Sequence, residues 1–100
     1  MFAGVFRFSF REHVPIEDAE MTLHLAMLAA EGLFGKPRVA MEFRYELHRF
    51  ESFIDINGDS EVSVAVARIY AGLLLREFGD SSFRIANIPL RDCQMCEVAA

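Results

Sequence analysis

The segment "RDCQMCEVAA" contains both cysteines of the sequence. Cys93 and Cys96 are separated by two residues, the spacing used by zinc half-sites and by dithiol redox centres. A redox pair needs one thiol acidified by a helix N-terminus or a nearby cation, and only "EVAA" follows. Zinc takes about four ligands, so one chain supplies half a tetrahedral site. The metal reading is therefore zinc held by the CxxC motifs of two subunits. The plainer reading, a passive tail, leads because no second ligand pair is visible in one chain.

Other reactive side chains are weaker candidates. Glu20 and His24 stand four apart and could reach one metal, with Glu17 or Glu31 as a further oxygen ligand. The simpler reading is a solvated helix edge on which His24 pairs with Glu20. His13 and His48 have no spaced partner. Glu51 and Asp55 are better read as partners of Arg7 and Arg11 than as an acid–base pair. In "INGDSEVS", Asp59 or Ser60 reads as a helix cap rather than part of an anion site. No serine sits in a nucleophile turn and no glycine-rich loop fits a phosphate. No catalytic residue and no cofactor is assigned.

The bulk numbers narrow the class. One hundred residues make one small domain, expected over 1–90 with a tail over 91–100. Fifteen acidic and ten basic side chains leave a formal charge of −5, which disfavours nucleic acid and anionic membranes as partners. The longest uncharged apolar run, from Met21 to Ala30, is about half of the roughly 20 residues that span a bilayer. The opening "MFAGVFRFSFRE" lacks a basic segment ahead of its apolar residues, so no signal peptide is expected. A cytoplasmic protein is expected, with its thiols reduced.

These residues must be positioned by regular elements. "FAGVFRFSFR" alternates, with Phe6, Phe8 and Phe10 on one side of an extended chain. Pro15 and the acidic residues after it start a helix that runs to about Gly32. "VAMEFRYELHRF" predicts a long strand with Val39, Met41, Phe43, Tyr45 and Leu47 facing one way. A turn near His48 to Glu51 leads to "FESFIDI", with Phe50, Ser52, Ile54 and Ile56 on one side. A second helix is expected from about Glu61 to Phe78, ended by Gly79, and a last strand around Phe83 to Ile88. The order strand, helix, strand, strand, helix, strand predicts an α+β, ferredoxin-like βαββαβ plait: a four-stranded antiparallel sheet with two helices on one face.

The apolar share, 53%, exceeds the roughly 45–50% usual in soluble domains. The first helix carries two apolar stripes, one of Ile16, Ala19, Leu23, Ala26, Met27 and Ala30 and an opposite one of Met21, Leu25 and Leu28. The second carries Val62, Val66, Ile69 and Leu73, and separately Val64, Ala67, Ala71, Leu74, Leu75 and Phe78. One stripe on each covers the sheet; the spare ones predict a subunit interface of Met21, Leu25, Leu28, Ala67, Ala71, Leu74 and Phe78. The functional expectation is a small homo-oligomer, most simply a dimer, that binds a small-molecule ligand or a partner and is not catalytic. The alternative is the zinc protein built on Cys93 and Cys96.

Overall fold

The computed structural model describes residues 4–89. Strand β1 (Gly4–Phe10) follows the expected alternation: Phe8 and Phe10 are buried. Helix α1 (Ile16–Phe34) begins behind Pro15, with Glu17 and Asp18 in its first turn opposing the positive end of the helix dipole. Gly35, at φ 90°, ends it, and its N–H bonds the Glu31 carbonyl at 2.9 Å. The left-handed backbone there suits glycine, which has no Cβ to clash.

The long strand expected from Val39 is half helix. Helix α2 (Lys36–Glu42) has Pro37 in its first turn, where a missing N–H costs nothing. Val39 and Phe43 are buried one turn apart, whereas Met41 is 79% exposed. An alternating strand would have placed all three on one face. The Arg38–Glu42 ion pair at 2.8 Å adds a contact that only helical spacing allows.

The hairpin is correspondingly shorter. Strand β2 (Tyr45–His48) joins β3 (Phe53–Asn57) through a four-residue turn. Ser52 closes that turn at φ 58°, and its carbonyl accepts the Phe10 N–H at 2.9 Å. Phe50, expected in the inward row of the strand, stands 97% exposed on the turn. Helix α3 (Glu61–Phe78) is capped by Ser60, whose Oγ accepts the Ser63 N–H at 3.1 Å. Strand β4 (Phe83–Pro89) completes the described chain.

The described residues form three helices and a four-stranded sheet of order β2-β3-β1-β4, with every neighbouring pair antiparallel. The protein is α+β. Phe8, Phe10, Ile54 and Ile56 share one core with Leu23 and Ala26 of α1 and Val62, Val66, Tyr70 and Leu74 of α3, so α1 and α3 cover one face of the sheet. Tyr70 sits at the centre of that layer, its hydroxyl donating to the Ala19 carbonyl at 2.6 Å. Its arc on α3 falls between the two stripes read from sequence and takes members from both. No described helix is long and apolar enough to cross a membrane.

Candidate functional site

The sheet face turned away from the helices gathers the ionisable groups. Strand register aligns Glu46, Asp55 and Arg7 across β2, β3 and β1, with His48 opposite Phe53 in the next row. Arg7 holds Asp55 with both prongs of its guanidinium, Nε to Oδ1 at 2.8 Å and Nη2 to Oδ2 at 3.0 Å. The Asp55 side chain is only 3% exposed, so this fork replaces its lost hydration. His48 Nε2 stands 3.1 Å from Glu46 Oε1 and 4.0 Å from Asp55 Oδ2. Phe53 is flanked by two cationic or aromatic partners: the His48 ring stacks on it at 4.2 Å and the Arg7 guanidinium lies 4.1 Å from its centroid.

Glu46, His48 and Asp55 each offer one ligand atom, all within 4.8 Å of one another. Among the described residues this is the one trio with such geometry. Its donor set is mixed nitrogen and oxygen, but both oxygens of Asp55 already accept from Arg7, whose charge opposes a cation a few ångströms away. The chemistry of the face is therefore that of an ion-pair network rather than a metal centre. The expected Arg7–Asp55 partnership is present, whereas Glu51 and Arg11 stand exposed and are not ion-paired with each other. His48 escaped the sequence reading because its partners lie two residues back on the same face and across the hairpin. The spacing Glu-x-His on one strand was the available signal.

The edge of α1 is likewise engaged. Tyr45 donates its hydroxyl to Glu20 Oε2 at 3.0 Å, and His24 Nε2 lies 3.3 Å from the same hydroxyl. Glu17 pairs with Arg49 at 2.8 Å. The four-residue spacing of Glu20 and His24 thus serves one tyrosine on β2. Burial, and secondarily Glu20, pushes the Tyr45 phenol above its usual pKa. In "INGDSEVS", Ser60 is the cap, and the buried Asn57 side chain accepts from the Arg44 N–H at 2.8 Å and the Ser63 hydroxyl at 2.9 Å. Cys93 and Cys96 lie outside the described residues.

The residues expected at a subunit interface separate into two groups. Met21, Leu25 and Leu28 form an exposed stripe opposite the buried one on α1. On α3, Ala67 and Leu74 are 7% and 0% exposed and pack within the chain's own core. Ala71 and Phe78 are half-buried beside them. The reason is the position of Tyr70, which turns α3 so that the spare stripe faces inward in part.

A cleft of about 630 Å³ opens between the C-terminal end of α1 and the N-terminal half of α3. Leu33, Phe34, Val64 and Ile69 form its apolar wall, and Asp59, Glu61 and Arg68 stand at its margin. No family model, curated protein or solved structure matches the chain.

Proposed function

We propose that the protein is a ferredoxin-like plait that works in the cytoplasm as a homo-oligomer and acts by binding rather than by catalysis. The strand order, and the placement of α1 after β1 and α3 after β3, support the plait. The oligomer rests on one observation: Met21, Leu25 and Leu28 stay 66%, 57% and 63% exposed on the outer face of α1. With Gly32 they are spaced four, three and four, the spacing of a seam between two packed helices. A second copy offers the same seam, so a two-fold pairing of α1 with α1 is self-complementary. Burying each large side chain is worth about 1.5–3 kcal/mol. The apolar cleft at the α1–α3 junction supplies a place for a small ligand.

Light scattering over a dilution series tests the association. A mass above one chain at micromolar concentration is expected, and a single-chain mass throughout defeats the proposal. Leu25→Glu with Leu28→Glu should yield a folded monomer, because both side chains point away from the chain's own core. Retention of the parental mass in that variant would equally count against the α1 seam.

A further inference from the structure

Strand β4 is an open edge. It ends the sheet order and pairs only with β1 among the described residues. It is seven residues long, FRIANIP, with one charged side chain and a proline only at its last position. Edges of such length are commonly blunted by several charges, a bulge or a covering helix. Here the helical layer stops short: Ile85, paired with Phe8 on the helix side, is 44% exposed. A groove of about 200 Å³ runs between β4 and α3, walled by Phe6, Val64, Ala67, Ala71 and Ile85, with Arg68 also lining it.

Exposed arginines lie on both sides of that edge. Arg7, Arg38, Arg44 and Arg49 each meet a carboxylate. Arg68 beside the groove and Arg84 on the strand are exposed and meet none among the described residues. Lys36, Arg11 and Arg76 meet no carboxylate among the described residues either, and Arg11 stands at the head of the same edge, its N–H bonded to the Ser82 carbonyl at 3.0 Å. In a chain of net charge −5, cationic groups and edge backbone groups that have no partner among the described residues are a complement to something acidic.

We propose that the β4 edge receives an extended acidic segment of a partner protein by strand addition. The added strand completes the backbone pairing of β4, places apolar side chains of one parity against Ile85 and the groove, and presents carboxylates of the other parity to Arg84 on the outer face. A second copy fits less well, since its β4 brings its own Arg84 to the same edge.

The test uses blocked seven-residue peptides, one alternating Glu and Val and one alternating Lys and Val, added to the whole chain. The Glu–Val peptide should shift the amide resonances of β4, and Arg84→Glu should weaken its binding at least tenfold. Circular dichroism checks that this variant is folded, and the milder Arg84→Gln should move affinity the same way. N-methylation of alternate peptide residues separates backbone pairing from side-chain contact: one of the two alternating sets should abolish binding and the other retain it. Equal binding of the Lys–Val peptide, binding by both N-methylated sets, or shifts confined to α1 would overturn the proposal. So would β4 amides already protected in the peptide-free protein by pairing of two copies.

Discussion

Asp55 has both carboxylate oxygens in the grip of one arginine and almost no contact with water. Removing Arg7 leaves that charge buried with no full counter-ion, and breaking a buried pair in this way costs about 3–5 kcal/mol. Arg7→Met should therefore lower stability by that order in a urea titration. Arg7→Met with Asp55→Leu should recover most of it, because the desolvation disappears with the charge. Tyr70 makes a second prediction. Burial, reinforced by Glu20 and Glu77, raises its pKa far above the ordinary tyrosine value. Its neutral form is favoured in the folded state, so the stabilisation is complete below about pH 10 and is lost as pH rises beyond it, where the unfolded chain ionises and the folded one does not. The sequence has two tyrosines and no tryptophan, so absorbance near 295 nm reads them directly. Tyr45 should titrate in the folded protein and Tyr70 only together with alkaline unfolding; a Tyr70 titration in a still-folded chain would contradict the burial argument.

At the level of elements, α2 gives the sharpest contrast between the two readings of one segment. If residues 36–42 are helical, Met41→Glu should change stability by less than about 0.5 kcal/mol, as exposed sites do. Phe43→Ala should cost about 3 kcal/mol. A strand would make both positions costly, and urea denaturation distinguishes them. This segment also shows where sequence reading fails. Val39 and Phe43 are four apart, a separation that satisfies both a period of 2 and a period of 3.6, so the buried pair fits either element. The intervening Met41 decided for a strand because it is apolar, yet it faces solvent. The better signals were Gly35 followed by Pro37 and the Arg38–Glu42 spacing. Elements with longer patterns were legible: β1, α1, α3 and β4 lie close to their expected bounds. The outer-face network was legible in part, since Asp55 reads from the sequence as a partner of Arg7 or Arg11. Its geometry was not, because the partners of Asp55 depend on a hairpin register that a one-residue slip would invert.

Across the molecule, the apolar excess is distributed unevenly. The covered face of the sheet, the inner stripe of α1 and the Tyr70 arc of α3 form the core. The remainder lies on the outside of α1, at Met41 of α2 and Leu75 of α3, on the turn at Phe50 and at Ile85 of β4. Two of those surfaces are the association sites argued above. They lie on different elements, so the Leu25→Glu and Leu28→Glu variant should leave peptide binding at β4 unchanged. Loss of both together would indicate that one depends on the other.

The position of β1 has a consequence for how the chain is made. Its sheet neighbours come from residues 53–57 and 83–89, whereas the strand of its own half, β2, lies beyond β3. A fragment of residues 1–50 therefore has no strand pair to form, and its amide spectrum should be undispersed; resolved β-sheet signals there would refute this. During synthesis at about 5–20 residues per second, β1 waits several seconds for its second partner to leave the ribosome. Through that interval β1 has at most one of its two strand partners, so one edge of a strand rich in phenylalanine stays unpaired until the end of synthesis of β4.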